Sequence, residues 1–477
     1  MSNNFKINVI VATSNNNVIG YQNCLPWNYP EDLKYFKDIT ICSDPNKINI
    51  LLMGYNTWKS INRSLEKRLM VVLSSKKIDI KIDNVIFVQN MNAAFSIITE
   101  LLNMDSFNEL FVIGGQKVYN QFMENGFVFN NGSLFDVHKI YQTKINKDYT
   151  GDAFFYPIDS RRYYIESAKK SEKYNEITYL VYKKFNTREK NCEIGYLDLI
   201  SNVIKNGVKS DDRTGTGTIS LFGTQTKYDL SKGFPLLTTK KMFIKGIIEE
   251  LLWFLKGETD NRKLQEKGVH IWDGNTSREF LDNLGFHDRE EGDGGPIYGF
   301  NFRHYGADYI NSNTDYNNQG IDQVKEVLRL IREEPSSRRI IINLWDPTKL
   351  KEMVLPPCHM VYQFRVYGNK LSCMLYQRSG DIGLGVPFNI ASASLMTHLF
   401  AFLCGLEVGE LVHTIADAHI YSDHIESLRE QLDRVPYCFP ILKIKNRGQK
   451  EIEEFEFEDF EILGYESHPS LKMKMAV

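Results

Sequence analysis

The chain has 477 residues, 42% hydrophobic and 25% charged, with a formal net charge of −3. That length calls for two or three domains rather than one core. The near-neutral charge gives no global attraction to nucleic acid or an anionic membrane, so neither is expected as a partner. The seven cysteines are odd in number, widely spread and without a C-x-x-C pair. They argue against a disulfide framework and against a zinc site, and no metal is expected. The start, "MSNNFKINVIVATS", lacks a basic segment followed by a long apolar run, and no stretch reads as a membrane span. A cytoplasmic location is the expectation.

Residues 6–14 read as a buried strand, and "LLMGYNTWKSI" (51–61) as a strand running into a helix. "KRLMVVLSS" (67–75) and "ELFVIGG" (109–115) are two more apolar strands, with helical stretches at 30–37 and 116–123. "YQTKI" (141–145) and "ITYLVYKKF" (177–185) are late strands that an antiparallel pairing would suit. The alternation predicts an α/β domain over 1–185: a mixed sheet flanked by helices. The polar stretch 186–194 reads as a short linker, leaving 195–477 as a second, α+β domain. That domain opens with an amphipathic helix (196–207) closed by Gly207. Apolar helices follow at 245–257 and 389–410.

In "LPWNYPEDLKYF" (25–36), Pro30 suits the first helical turn, and Asp32 shares a face with Phe36. Trp27 and Leu33 add apolar surface. Desolvation there would let Asp32 hold a proton near neutrality, whereas an exposed carboxylate would only favour the helix N-terminus. Both readings stand on position alone. With "LLMGYNTWKSI", "RLMVVLSS", "FVIGGQKVY" and "YQTKI" in order, residues 6–185 resemble dihydrofolate reductase. The resemblance implies that Asp32, paired with Thr143, supports protonation of a pterin. It implies that Ile10, Val11, Ala12, Leu33, Phe36, Ile61 and Leu65 line the folate site and that Arg68 grips the folate tail. NADPH would meet Ala12, Gly20, Thr57, Gly114 and Gly115, with Ser74, Ser75 and Lys76 at its 2′-phosphate. The family makes the Gly114–Gly115 peptide cis. Lys76 reads equally as an ordinary surface lysine. Tyr55 departs from the family, where a basic residue is common.

In the second domain, "HMVYQFRVYGNKLSCMLYQRS" is two strands around a Gly-Asn turn, residues 368–369. Pairing Tyr367 with Lys370 sets Cys358 opposite Ser379 and His359 opposite Arg378; a bulge would shift this by one. A guanidinium beside a thiol favours the thiolate. Cys358 is therefore a candidate nucleophile, the other reading being a buried filler. "DDRTGTGT" (211–218) and "PSSRRII" (335–341) supply Arg213, Arg338 and Arg339, more cations than one phosphate would normally take from one face.

"DRTGTGT", "FPLLTTKK", "EELLWFLKG", "PIYGFNFRHY", "LPPCHM", "YQRSGD", "PFNIAS" and "DAHIYSDH" in order resemble thymidylate synthase over 195–477. The resemblance implies that Cys358 attacks C6 of dUMP, with Glu250 and Tyr298 handling protons. Arg213, Arg378 and Ser379 would hold the phosphate, and Arg338 and Arg339 would come from the other subunit of a homodimer. His419 and Tyr421 match ribose contacts. Asp381 matches a pterin contact beside the nucleotide, and Lys240 with the C-terminal "MAV" fits the folate tail and a closing lid. Asn389 has an amide donor and acceptor that complement a uracil edge; an Asp there would signal a cytidylate enzyme. Gly380 departs from the cysteine usual at its position. Together the halves imply a thymidylate cycle that uses 5,10-methylenetetrahydrofolate and NADPH. The alternative is a synthase carrying a degenerate, folate-binding reductase domain.

Overall fold

The computed structural model describes residues 6–124, 126–129, 132–186, 193–211 and 215–475. The chain divides into two units, Met1–Lys190 and Asn191–Val477.

In the first unit the strands are β1 (Ile7–Ser14), β2 (Val18–Gly20), β3 (Ile48–Gly54), β4 (Arg68–Leu73), β5 (Val85–Val88), β6 (Phe107–Gly114), β7 (Phe127–Val128), β8 (Leu134–Phe135), β9 (Val137–Ile145), β10 (Ala153–Phe154), β11 (Tyr163–Lys170) and β12 (Ile177–Lys184). Eight of them form one sheet in the order β11-β12-β9-β1-β6-β3-β4-β5. From β9 to β5 the pairs are parallel, while β11 and β12 run antiparallel. The mixed sheet follows the expectation. The antiparallel pairing suits 177–184, but 141–145 also pairs in parallel with β1. The central strands carry apolar residues on both faces because helices cover both sides of a parallel sheet. Those helices are α1 (Pro30–Thr40), α2 (Tyr55–Ile61), α3 (Met91–Leu102) and α4 (Gln116–Met123). Pro30 stands at the start of α1, where its missing N–H costs no hydrogen bond, and Glu31 and Asp32 follow in the first turn.

The second unit opens with α5 (Glu193–Asn206), three residues before the expected start. Glu193 is therefore part of this unit and not of a linker; residues 187–192 of the expected linker lie outside the described residues. The carboxylate of Glu193 is fully buried because four groups satisfy it: the backbone N–H groups and hydroxyls of Thr238 and Thr239. A six-stranded sheet runs β13-β14-β18-β17-β16-β15, from Val208–Ser210, Thr218–Asp229, Glu407–Tyr421, Lys370–Asp381, His359–Tyr367 and Ile341–Asn343 respectively. Strands β19 (Ile441–Ile444) and β20 (Phe460–Leu463) make a separate hairpin. Helix α12 (Gly385–Cys404) packs on β17 and β18 and against α6 (Ile244–Leu255) and α11 (Gln323–Glu333). Helix α10 (Tyr298–Arg303) packs on α6 and α11, α13 (Ile425–Leu432) packs on α5, and α7–α9 (Arg262–Gln265, Asp273–Thr276, Arg278–Asn283) are short.

The α12 helix begins four residues before the expected Asn389 and stops at Cys404, because Gly405 takes the left-handed cap; residues 407–410 already belong to β18. By length and composition α12 could cross a membrane, yet Leu395, Leu399 and Phe400 are wholly buried inside the unit. Truncating one such side chain costs about 2–5 kcal/mol, so α12 is a core helix on which the site residue Asn389 is rigidly carried.

Candidate functional site

The first unit gathers its expected residues where β1, β9 and α1 meet. Ala12 of β1 pairs with Thr143 of β9. Asp32 is only 8% exposed, which removes the exposed-cap reading. Burial raises its pKa, and a hydrogen bond to Thr143 opposes the rise. Trp27 is buried nearby in the sequence, and its indole N–H has no protein partner. Ile10 lies in one apolar cluster with Phe36, Ile61 and Leu65 packed against it, and its carbonyl accepts from Tyr119 Oη at 2.7 Å. Val11 is buried on the same strand. Leu33 is 56% exposed, so its side chain is open rather than packed in the core beside Asp32. Arg68 is buried, with Nη1 on Thr40 Oγ1 at 2.9 Å and Nε on the Glu66 carbonyl at 3.1 Å.

A second group sits at the C-terminal ends of β3, β4 and β6, where parallel sheets bind ligands. Gly114 has φ +109° and joins Gly115 through a cis peptide. A Cβ on Gly114 would lie 2.9 Å from the Tyr119 ring, and one on Gly115 would lie 3.3 Å from Thr57 Oγ1. Only glycine leaves this backbone approachable by a phosphate. Ser74 is buried, and its hydroxyl closes a turn with the backbone of Lys76; Ser75 and Lys76 are exposed. Gly20 ends β2 opposite Ala153. Tyr55 stacks on Trp58, and the Lys59 ammonium lies 5.3 Å from its ring, so a cation still stands beside the position that lacks one.

In the second unit the hairpin turns at Gly368–Asn369, and Tyr367 pairs with Lys370 as counted. A bulge between His359 and Val361 then shifts the register by one. Cys358 consequently meets Arg378 rather than Ser379: the Arg378 N–H donates to the Cys358 carbonyl at 2.9 Å. The guanidinium donates to the Pro356 and Pro357 carbonyls and stands 3.8 Å from Cys358 Sγ, with Trp345 beneath it. The two prolines thus aim a cation at the sulfur by offering carbonyls with no competing N–H of their own. Cys358 is half-buried, whereas Cys373 is fully buried, and burial pushes its thiol up to about 12.

Tyr298 accepts the Cys358 N–H at 2.7 Å. Glu250 takes the Trp272 indole N–H at 2.8 Å, and burial raises its carboxyl to about 7. Asn389 is held by a buried relay: Gln377 Nε2 donates to its Oδ1 at 2.9 Å, and Gln377 Oε1 pairs with His413 at 2.8 Å. Burial holds His413 at about 3 and His359 at about 4, so both rings are neutral. Ser379 pairs with Asp417, and Asp381 with His419, across β17 and β18; Tyr421 packs edge-on against His419. Lys240 donates to the Gly383 carbonyl at 2.5 Å, and burial lowers its ammonium to about 8. Gly380 has no room for a side chain: a Cβ would sit 2.9 Å from Val386 and 3.1 Å from Ile415.

Some expected residues stand apart. Arg338 and Arg339 are exposed and make no ion pair among the described residues. Arg213, with Ala476 and Val477 of the C-terminal stretch, lies outside the described residues. Conversely, sequence reasoning did not single out Gln377, Trp272, Glu193 or His424. Gln377 and His424 lay within the motifs already quoted; Glu193 had no local signal.

Residues 6–186 match the dihydrofolate reductase family and residues 194–477 the thymidylate synthase family. The chain is similar to a bifunctional dihydrofolate reductase-thymidylate synthase of Paramecium tetraurelia, 43% identical over 488 residues, with 100% of each chain covered. The Zea mays protein of the same description is 41% identical, covering 98% of this chain and 96% of its own. The Leishmania major protein is 39% identical, covering 98% and 95%.

Proposed function

We infer residue roles from a premise those matches establish: the chain belongs to the bifunctional dihydrofolate reductase-thymidylate synthase family. It is an oxidoreductase and a methyltransferase, methylating dUMP to dTMP with 5,10-methylenetetrahydrofolate and reducing the dihydrofolate released with NADPH. The reductase occupies the first unit and the synthase the second.

In the synthase, Cys358 is the nucleophile that adds to C6 of the uracil. Arg378 stands 3.8 Å from its Sγ and, with Ser379 and Arg213, binds the nucleotide phosphate. The relay from His413 through Gln377 fixes the flip of the Asn389 amide. Its Oδ1 keeps one lone pair for uracil N3–H, and its Nδ2 donates to O4. Glu250, poised near neutrality, manages protons at the base, and Tyr298 assists removal of the C5 proton. His419 and Tyr421 hold the ribose; Asp381 and Lys240 hold the folate.

In the reductase, Asp32, its pKa raised by burial, is the acid that serves the pterin, and Thr143 orients its carboxyl. Ile10, Val11, Ala12, Phe36, Ile61 and Leu65 form the pterin and benzoyl surface, Leu33 meets the ligand from the open side, and Arg68 pairs with the folate carboxylate. Gly114, Gly115, Thr57, Gly20, Ser75 and Lys76 would hold NADPH, which supplies the hydride; Ser74 shapes the turn. The intact Asp32–Thr143 pair and open glycine cradle favour an active reductase over a degenerate one.

The synthase unit works as a homodimer. The outer sheet face exposes Ile341, Met374 and Tyr376, each at least 40% exposed. Ile341 and Met374 both pair with Gln363, so they form one continuous row. Arg338 and Arg339 border this face and would reach a partner's phosphate site. The cysteines outside any disulfide (Cys24, Cys42, Cys358, Cys373 and Cys404) fit a reducing, cytoplasmic compartment.

The observation that carries the reading is the Cys358–Arg378 contact and the buried Asp32–Thr143 pair within one chain. A coupled assay tests it: dUMP, methylenetetrahydrofolate and NADPH are supplied, and dTMP formation and NADPH loss are followed. dTMP without NADPH loss would restore the degenerate-reductase reading. Sedimentation of the full chain as a monomer at assay concentration would refute the dimer.

A further inference from the structure

The C-terminal segment is anchored to the synthase unit at two points that no assigned role uses. His424 closes the turn between β18 and α13 and is 0% exposed. Its Nε2 bonds the Lys474 carbonyl at 2.7 Å. One turn on, Ser427 Oγ donates to the Lys472 carbonyl at 3.0 Å. Between these anchors Met473 lies against Gly383: a Cβ on Gly383 would come within 3.0 Å of Met473 Sδ and 2.5 Å of His424 Nδ1. Glycine at 383 is what lets the ring and the tail reach this spot.

The chemistry of the ring follows from its partners. A carbonyl can only accept, so Nε2 carries the proton. That leaves Nδ1 facing Asp381 Oδ1 at 3.6 Å, otherwise unpartnered. A neutral ring would turn a lone pair towards a carboxylate; an imidazolium would turn an N–H towards it. Asp381 is itself aligned by the Gly383 N–H at 2.8 Å. Burial lowers the pKa of His424, but Asp381 and the Lys474 carbonyl raise it, and the net direction is up. The other groups facing the ring are Asp423, 3.8 Å from Nε2, and the Tyr421 ring at 5.5 Å. Lys240 approaches through the Gly383 carbonyl.

We propose that His424 is a positioning residue that joins the docked segment Lys472–Lys474 to the folate-holding carboxylate Asp381, so that docking of this segment and gripping folate are coupled through one imidazole. This rests on the synthase reading given above. Folate binding orders Asp381, Asp381 holds the imidazolium, and the imidazolium holds the tail. The coupling is reciprocal, so a tail that cannot dock weakens folate binding in turn.

The test uses the full chain. His424→Ala should raise KM for methylenetetrahydrofolate by about tenfold, as Asp381 loses the ion pair that positions it. dUMP affinity by calorimetry and the reductase rate should hold within about twofold, reporting that both units remain folded. The same variant should lose its C-terminal residues to carboxypeptidase faster in the presence of dUMP and a folate analogue. His424→Gln keeps a donor for Lys474 but no charge for Asp381. It should restore protection of the tail while leaving the folate KM raised and less dependent on pH. In the wild type the grip is complete below the ordinary histidine range and is lost as pH rises through the elevated pKa, so folate KM should climb there. Ser427→Ala, further from Asp381, should speed tail cleavage with a smaller change in KM. Unchanged folate KM in His424→Ala, or equal losses for folate and dUMP, would overturn the proposal. A wild-type chain that makes no dTMP would instead overturn the synthase reading itself.

Discussion

The two sites prepare their reactive groups by opposite means. Asp32 is set by what covers it: burial raises the pKa of its carboxyl, and one hydrogen bond to Thr143 opposes the rise. Cys358 is made useful by what is brought: a guanidinium at 3.8 Å, oriented by two proline carbonyls, with Tyr298 bonded to its backbone. Desolvation needs only apolar cover, so the reductase site is assembled from a strand edge and one helix turn. A cation must itself be held, and beside Cys358 that takes a bulged hairpin and the carbonyls of two prolines. The lesson is that burial is enough to shift a carboxyl upward, whereas holding a cation beside a thiol draws on long-range scaffolding.

The largest effect expected is from Cys358→Ser. Thymidylate formation should fall by at least ~10³-fold, because a hydroxyl is a far weaker nucleophile without its own base. NADPH-dependent reduction should continue within about twofold, as read in separate assays of the two reactions. Residual synthase activity near wild type would mean the nucleophile lies elsewhere.

Asp32→Asn is the converse and should slow reduction about 10²-fold or more at neutral pH, as for loss of a general acid. The wild-type rate should decline as pH rises through the elevated pKa of Asp32, since the protonated form is the useful one. The variant should lose that dependence, and an unaltered pH profile would show that burial of Asp32 does not set it.

Glu250→Gln sharpens the contrast, because Glu250 is an acid tuned by burial inside the other site. Its carboxyl at about 7 should put an inflection near neutrality in the synthase pH profile. The variant should lose the inflection and run about tenfold slower. A profile identical to wild type would assign that inflection to another group.

Gly380→Cys, which restores the residue usual in the family, should have the smallest effect. Its side chain meets Val386 and Ile415, so the fold should lose about 1–3 kcal/mol by overpacking, measured by denaturant titration. A simultaneous Ile415→Ala should recover part of the loss. If the single variant is as stable as the parent, the strand behind Ser379 is softer than the synthase half of the comparison requires.

Much of this was legible in the chain. Pro30 announces the α1 turn that carries Asp32, and Gly368–Asn369 announces the hairpin that brings Arg378 to Cys358. The hairpin count missed by one because the bulge lies at the far end from the turn, where no residue type marks it. The openness of Leu33 has no sequence signal, because helical periodicity locates a face without saying what covers it. Glu193 and His424 escaped notice for another reason. Their partners lie 45 to 50 positions away, at Thr238 and Lys474, so no local pattern links them.

Sequence alone therefore supplied the two family resemblances, the order of the units and the candidates for the reacting side chains, because ordered motifs survive as residue type and near spacing. Tertiary structure decided the raised pKa values of Asp32 and Glu250, the one-residue slip that pairs Arg378 with Cys358, and the meeting of His424 with the tail. Desolvation and long-range hydrogen bonds depend on which distant segments cover a group, and spacing along the chain carries no record of that.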